Sequence, residues 1–196
     1  MIAVLFGPPG SGKGTQAARV SERIGIPHIA TGDILRDEVA RGTALGLEAG
    51  PIMRRGMLIS DDLVVRVIEA RLLQPDAAGG ALLDGFPRTV AQAEALDAML
   101  ARRGRGVDVL VALDVPDDVL KERVLKRARV EGRPDDTPEA LELRLVTYRA
   151  ETEPVLGHYV VSGTRVERID GVGSIDAVTE RITAALARGH EQAQAS

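Results

Sequence analysis

The sequence lacks several residue types: it has no cysteine, no tryptophan and no asparagine, and aromatic residues make up only 2% of it. The absence of cysteine excludes disulfides and thiolate metal sites. The scarcity of aromatic rings implies an aliphatic core and argues against stacking of nucleic-acid bases. The net charge of −4 also argues against nucleic-acid binding, because such binding needs a basic face.

No apolar run approaches the roughly 18 residues that a membrane span needs, so no membrane partner is expected. Met1 leads straight into a predicted strand, without the pattern of a signal peptide. We therefore expect a cytoplasmic protein. With 196 residues, 44% of them hydrophobic, the chain fits one domain with a sizeable core.

Apolar runs alternate with segments of helical periodicity along the chain. Strands are predicted at residues 2–6, 81–83, 107–115 and 165–169. Helices are predicted at residues 15–24, 63–73 and 89–103, then after Pro116, from Thr137 and after Ser174. Strands that alternate with helices form a parallel sheet that is covered by helices on both faces. The predicted fold class is therefore α/β.

Two stretches do not fit this alternation. Residues 31–59 have a helical pattern that several glycines interrupt, and no sheet strand is predicted among them. Residues 128–136 are polar and separate two predicted helices. Both have the character of flaps over a site, although plain surface insertions would have the same composition. Residues 189–196 are predicted to form a disordered tail.

The most informative local pattern is GPPGSGKGT at residues 7–15, directly after the first apolar run. Its glycine and lysine spacing is that of a phosphate-binding loop, in which successive backbone N–H groups converge on one anion. A helix beginning near Lys13 would add its dipole, Lys13 would reach the β- and γ-phosphates, and the Thr15 hydroxyl would face magnesium. An ordinary glycine-rich turn gives no reason for the lysine. The pattern predicts nucleotide binding.

A second pattern, LLDGFPR at residues 82–88, puts Asp84 at the end of a buried strand. In a P-loop fold a carboxylate at that position orients the magnesium ion or its waters. The alternative is a strand-ending turn, since Asp-Gly is a common turn pair. Arg88 follows on the same edge of the sheet, where its guanidinium group could grip a phosphate with two hydrogen bonds.

Taken together with other segments, these motifs resemble those of the adenylate kinases, of the bacterial type with a short lid. The segments are GPPGSGKGT at 7–15, IATGDILR at 29–36, DGFPRTVAQA at 84–93, DVPDDVLKERVLKR at 114–127, RPDD at 133–136 and RLVTYR at 144–149. The resemblance extends from Met1 to about residue 186. It implies reversible transfer of the terminal phosphoryl group of MgATP to AMP, which gives two ADP.

The resemblance also implies a division of the single P-loop kinase domain. The core would comprise residues 1–29, 60–126 and 137–188. An NMP-binding flap would cover residues 30–59 and a short lid residues 127–136. Two flaps that close over bound nucleotides would assemble the site and exclude water from the phosphoryl group.

Position by position, the resemblance implies the site residues. Those expected to bind ATP are Gly10, Ser11, Gly12, Lys13, Gly14, Thr15, Arg123, Arg127 and Gly173. Those expected to bind AMP are Thr31, Arg36, Met57, Leu58, Ile59, Gly85, Phe86, Pro87, Arg88, Gln92, Arg133 and Arg144, with Thr31 and Gln92 at the adenine. The expected catalytic cations are Lys13, Arg88, Arg123, Arg133 and Arg144, and the expected magnesium contacts are Thr15 and Asp84.

Phosphoryl transfer to a phosphate acceptor requires positioning and cationic stabilisation rather than a general base. This agrees with the sequence, in which His28, His158 and His190 have no obvious partners. The predicted lid has neither the length nor the cysteines of the zinc-binding lids in related enzymes. The expected cofactor is Mg²⁺ with ATP, without zinc, and the expected partners are ATP, AMP and ADP, bound by a monomer.

Other functions remain as alternatives. UMP/CMP kinases share these loops, but they usually have alanine at the position of Thr31, and Thr31, Thr89 and Gln92 all favour AMP. A GTPase-like switch needs an N-K-x-D segment to recognise guanine, and the chain has no asparagine. A P-loop module that only binds nucleotides would not need so many arginines around the phosphates; without the resemblance, however, those arginines would be interpreted as solvated surface charge.

Overall fold

The fold is known from a computed structural model, which describes residues 1–131 and 136–193. Within these residues five strands form one sheet in the spatial order β2-β3-β1-β4-β5, and all neighbours are parallel. The strands are β1 (Ile2–Phe6), β2 (His28–Ala30), β3 (Ala81–Asp84), β4 (Val109–Asp114) and β5 (Arg165–Asp170). The predicted α/β class with a parallel sheet is confirmed.

Helices connect the strands and cover the sheet. They are α1 (Lys13–Ile24), α2 (Thr31–Ala40), α3 (Ala44–Arg54), α4 (Asp61–Leu72), α5 (Val90–Ala101), α6 (Asp117–Glu131), α7 (Pro138–Thr147), α8 (Pro154–Val161) and α9 (Ile175–Ala193). A short 3-10 turn (Pro75–Ala77) precedes β3, and a π-helical turn (Tyr148–Thr152) joins α7 to α8. Among the described residues no helix is long and apolar enough to cross a membrane.

Strand β1 lies at the centre of the sheet, and all five of its residues are buried. Successive side chains of a strand point to opposite faces, so a strand that is covered on both faces needs a continuous apolar run. Val4 and Phe6 join the cluster that contains residues of α4, α5 and α8. Ala3 and Leu5 join the cluster that contains residues of α1 and α9. The apolar run therefore links the two layers of the core.

Helices α2 and α3 lie within residues 30–59, the segment that was predicted to be a flap. Thr43 caps α3, where its hydroxyl oxygen accepts a hydrogen bond of 3.1 Å from the Gly46 N–H group. A Cβ atom on Gly46 would overlap the carbonyl group of Glu38, so the backbones of the two helices are in contact there. Glycine at this position lets the helices pack as one unit.

The structure differs from the sequence prediction in several elements. Strand β2 and helix α8 were not predicted from periodicity. Helix α6 continues to Glu131, into the predicted lid, and α9 continues to Ala193, into the predicted tail. The remaining lid residues 132–135 and tail residues 194–196 lie outside the described part of the chain.

Candidate active site

The phosphate-binding loop connects β1 to α1 with a geometry that only glycine adopts easily. Gly10 and Gly12 have φ angles of 85° and 94°, in the left-handed region, and Gly12 is the residue before the first turn of α1. A Cβ atom on Gly10 would lie 2.7 Å from the carbonyl oxygen of Leu120, so α6 packs directly against the loop. Within the part of the chain that the structure describes, no side-chain hydrogen bond caps the N-terminus of α1 at Gly12, so the N–H groups of its first turn are suited to binding an anion.

Lys13 folds back over this loop. Its Nζ atom donates hydrogen bonds to the carbonyl oxygens of Gly7 (2.7 Å) and Pro8 (2.9 Å) and lies 3.4 Å from the Ser11 hydroxyl. Burial lowers the pKa of Lys13 from 10.5 to about 8, although the nearby Asp84 carboxylate acts in the opposite direction. The ammonium group is thus incompletely compensated by the protein and is suited to an anionic ligand.

Asp84 ends β3 beside the start of α1. A Cβ atom on Gly14 would lie 3.5 Å from Asp84 Oδ2, and the same oxygen lies 3.4 Å from His28 Nε2 on β2. Burial acts to raise the pKa of Asp84, but the His28 contact and the charges of Lys13 and Arg88 outweigh it and lower the pKa. Asp84 is therefore held as a carboxylate at the edge of the sheet.

Arg88 lies against the turn that follows β3. Its Nε atom donates to the carbonyl oxygen of Gly85 at 2.7 Å. Gly85 has a φ angle of 75°, and a Cβ atom there would lie 2.8 Å from an Arg88 nitrogen. Burial lowers the pKa of Arg88, and the charges of Arg144 and Arg36 act in the same direction, against that of Asp84. Glycine at position 85 allows the guanidinium group to fold onto its own turn.

Two more arginines are held together by Asp136. Arg127 on α6 donates two hydrogen bonds of 2.7 and 2.8 Å to its carboxylate, and Arg144 on α7 donates one of 3.0 Å. The Asp136 side chain is fully buried. Burial acts to raise its pKa, but the Arg127 hydrogen bonds and both positive charges lower it overall. One carboxylate thus orders cations from α6 and α7.

A cavity of about 430 Å³ connects these groups. It extends from the phosphate-binding loop to the flap and the turn after β3. The predicted site residues in its wall are Gly10, Gly12, Lys13, Gly14, Thr15, Thr31, Arg36, Met57, Leu58, Ile59, Asp84, Gly85, Phe86, Pro87, Arg88, Gln92, Arg127 and Arg144. The fold therefore brings the loop residues and the flap residues to one continuous space.

The polar residues at the flap end of the cavity differ in their hydrogen bonding. Thr31 is the first residue of α2 and is buried, and its hydroxyl oxygen has no hydrogen-bond partner among the described residues. Gln92 is also buried, but both of its amide atoms have protein partners: Oε1 accepts from the Arg88 N–H group and Nε2 donates to Asp61, each at 2.7 Å. Thr89 caps α5 instead of lining the cavity.

Four predicted site residues are not part of the described cavity wall. Ser11 is buried within the loop, and Gly173 follows β5 with a φ angle of 124°. Arg123 donates to the carbonyl oxygens of Ser11 (3.2 Å) and Gly171 (3.0 Å), and thereby ties the loop to the segment after β5. Arg133 lies outside the described residues.

The expectation that the histidines have no partners was wrong for His28 and His158. His28 contacts Asp84, as above, and His158 Nε2 lies 2.7 Å from Asp97 Oδ2. Both carboxylates are remote from these histidines in sequence, so the pairs form only through the tertiary structure. The side chain of His190 lies outside the described part of the structure.

The sequence comparisons agree with this geometry. A model of the adenylate kinase family matches residues 5–164. The chain belongs to the adenylate kinase family. It is 54% identical over 188 residues to an adenylate kinase of Xanthomonas campestris pv. campestris, covering 96% of this chain and 100% of the relative. It is 52% identical to an adenylate kinase of Stenotrophomonas maltophilia, covering 95% and 99%.

The structure also adds residues to the site that the motifs of the adenylate kinase family did not indicate. Asp61 holds Gln92, Asp136 orders Arg127 and Arg144, and His28 contacts Asp84. The only sequence signal for Asp61 was its position in an acidic first helical turn. Asp136 appeared in the RPDD segment, where only the arginine had been assigned a role.

Proposed function

We propose that this chain catalyses the reversible transfer of the terminal phosphoryl group of MgATP to AMP, giving two ADP. The observation that carries this proposal is a continuous cavity of about 430 Å³ that runs from the phosphate-binding loop to Thr31 and Gln92. Transfer between two nucleotides needs both phosphate chains in one enclosed space, because the reacting atoms must lie in line and close together. A site for one nucleotide would not need the second, flap-side wall.

On this proposal the donor phosphates lie over the loop of residues 7–15, and Lys13 exchanges its carbonyl partners for phosphate oxygens. The AMP phosphate lies near Arg36 and Arg88, and the adenine lies between the apolar residues 57–59 and Gln92. Arg127 and Arg144 then neutralise the charge that develops on the transferred group. Arg123 would contact ATP as a catalytic cation after giving up its carbonyl partners, and Gly173 would contact the ATP adenine. Arg133 would act with Arg144 to bridge the two nucleotides.

Magnesium is part of the proposed donor. Thr15 and Asp84 both line the cavity and offer oxygen atoms, the ligand type that Mg²⁺ prefers. No group of three His, Cys, Asp or Glu side chains that could hold a metal occurs in the described part of the chain, which fits an ion held mostly by phosphates and water. Bound there, Mg²⁺ would neutralise phosphate charge. We expect elemental analysis to find no stoichiometric zinc.

No general base is needed on this proposal, because the acceptor is a phosphate that is already anionic. The two histidine contacts do not indicate a general base. His28 contacts Asp84, the carboxylate that we assign to magnesium, and His158 on α8 pairs with Asp97 on α5. We further propose that the enzyme acts as a monomer in the cytoplasm without nucleic-acid partners. The net charge of −4 supports the last point.

A coupled assay of ADP formation tests the proposal, with MgATP and each of AMP, UMP, CMP and GMP as acceptors. We expect turnover to be fastest with AMP. Faster turnover with UMP or CMP would instead identify a pyrimidine nucleotide kinase, the second candidate, whereas nucleotide binding without any ADP formation would identify a binding module.

A further inference from the structure

Asp61 at the start of α4 is joined to the residues of the proposed acceptor site. Its Oδ1 atom accepts a hydrogen bond of 2.7 Å from Gln92 Nε2, and its Oδ2 atom accepts one of 2.9 Å from the Thr89 hydroxyl. Thr89 in turn accepts from the Gln92 N–H group at 3.1 Å. Both carboxylate oxygens are therefore engaged, and the carboxylate has a fixed orientation.

The two partners of the Gln92 amide permit only one orientation of that amide. The backbone N–H group of Arg88 only donates, so it must meet Oε1, which it does at 2.7 Å. A carboxylate only accepts, so Asp61 must meet Nε2. Rotating the amide by 180° would put donor against donor and acceptor against acceptor.

The amide still has hydrogen-bonding capacity after these contacts. A side-chain amide has two N–H donors and two lone pairs, and each kind is used once here. Gln92 is buried and lies in the cavity wall. The remaining N–H group and the remaining lone pair are therefore available to a base in the cavity. Because the protein fixes the amide orientation, the positions of this donor and this acceptor are fixed before the base binds.

We propose that Asp61 is a positioning residue that selects 6-aminopurines over 6-oxopurines by fixing the orientation of the Gln92 amide. The inference rests on the proposed function, in which adenine meets Gln92. Adenine offers an N–H donor at position 6 beside an acceptor at N1. Hypoxanthine offers the reverse, an acceptor at position 6 beside an N–H donor at N1. In one pose, the two bases require opposite amide orientations.

The test compares AMP with IMP as acceptors, because the two differ in this edge and keep the same size and phosphate. Asp61→Asn keeps the shape of the side chain, but its amide can either donate or accept, so it no longer dictates the orientation of Gln92. We expect the ratio of kcat/KM for AMP over IMP to fall about tenfold. The reason is that one of the two hydrogen bonds that favour the present orientation of the Gln92 amide no longer discriminates between orientations. The KM for ATP should not change. Calorimetric Kd values for AMP and IMP without ATP should show the same change.

Asp62→Asn is the matched control, because it makes the same substitution one residue along, at an exposed carboxylate that pairs with Arg66. It should leave the AMP/IMP ratio unchanged. Thr89→Val separates positioning from simple stabilisation. It removes the cap of α5 and the hydrogen bond to Oδ2, but it leaves a carboxylate acceptor facing Gln92. It should lower the melting temperature and retain the ratio.

An unchanged AMP/IMP ratio in Asp61→Asn, with or without loss of stability, would overturn the proposal. So would a Thr89→Val variant whose ratio falls as far as that of Asp61→Asn. If Asp61→Asn does not fold, Asp61→Ser serves as the second variant, since its hydroxyl both donates and accepts and should lower the ratio as well. A wild-type enzyme that fails to prefer AMP over IMP would also overturn the proposal, whereas a wild-type enzyme that forms no ADP from MgATP and AMP would instead refute the proposed function, independently of Asp61.

Discussion

The Asp84 carboxylate, at the carboxyl end of β3, lies beside the side chain of His28, with 3.4 Å between Oδ2 and Nε2. The two residues belong to neighbouring strands, β3 and β2, which pair in parallel. Both side chains are largely buried, so a carboxylate there needs partners for its charge. His28 provides one of them from the side of the flap.

His28 therefore contributes to stability in acid. Because the pKa of Asp84 is lowered in the folded protein, the carboxylate stabilises the fold above its unfolded pKa, and this contribution is lost as the pH falls through the folded pKa. His28→Leu should raise that folded pKa and move the midpoint of acid unfolding to higher pH. It should also cost about 1 kcal/mol at neutral pH. Circular dichroism against pH and urea measures both.

His28→Gln is the matched variant, because its side-chain amide can still donate to Asp84. It should retain most of the acid stability that His28→Leu loses. Equal acid midpoints for the two variants would show that the contact does not support the Asp84 carboxylate.

Lys13→Met separates the catalytic role of Lys13 from a structural one. Methionine replaces the aliphatic stem but cannot bind phosphate, so we expect a loss of about 100-fold or more in kcat, the typical cost of removing one charge-stabilising donor. Far-UV circular dichroism should remain that of the wild type. Lys121→Met, at an exposed residue of α6, is the control and should keep full activity. Unfolding of Lys13→Met would point to a structural lysine instead.

The pKa of Lys13 also predicts how stability depends on pH. Burial lowers this pKa from 10.5 to about 8. The charged lysine therefore lowers the free energy of unfolding below pH 8. Between pH 8 and 10.5 the unfolded chain binds more protons at this residue, so this contribution to stability rises with pH. Lys13→Met lacks it. The free energy of unfolding of wild type relative to Lys13→Met should therefore rise from pH 7 to pH 10 in urea titrations.

A difference in unfolding free energy between the two proteins that does not change with pH would contradict the lowered pKa.

Catalytic activity should depend on the same titration of Lys13, but it should fall as the pH rises. In the free enzyme Lys13 loses its charge above about pH 8, so kcat/KM for ATP should decrease there, whereas the Lys121→Met control should follow the wild type.

The sequence predicted the elements whose cause is local. β1 was recognisable because the central strand of a covered parallel sheet is apolar throughout, and the loop after it because its glycines need unusual φ angles. β2 was not predicted, because its three residues (His28–Ala30) are too few to show periodicity. This strand is defined by its pairing with β3, which depends on tertiary structure.

The same distinction applies to the candidate site. Motifs identified Lys13, Asp84 and Arg88, of which Asp84 ends a strand and the other two lie in or next to the segment that follows one. The partners that orient such groups lie far along the chain: Asp61 is 31 residues from Gln92. Thr89 had been counted among the residues that favour AMP, but the structure gives it a different position, as the cap of α5 and a donor to Asp61.

The hydroxyl of Thr31 provides a last prediction, because it is buried without a hydrogen bond among the described residues. If Thr31 only capped α2, its oxygen would accept from the backbone of the first turn, as that of Thr43 does in α3. Thr31 instead lies inside the helix as its first residue, after Ala30 at the cap position. An unpaired buried hydroxyl is costly to the free protein, and a ligand that pairs with it removes the cost.

We therefore expect Thr31→Val, which keeps the shape and removes the hydroxyl, to leave the melting temperature unchanged or raise it. The same variant should lower kcat/KM for AMP and narrow the preference for AMP over UMP, without changing the KM for ATP. Thr43→Val, in the same flap, should do the opposite: it should cost about 1 kcal/mol of stability and leave the AMP/UMP ratio unchanged. Thermal unfolding and the coupled assay on both variants measure these effects. A Thr31→Val variant that is destabilised like Thr43→Val, with an unchanged AMP/UMP ratio, would show that Thr31 serves the helix and not the base.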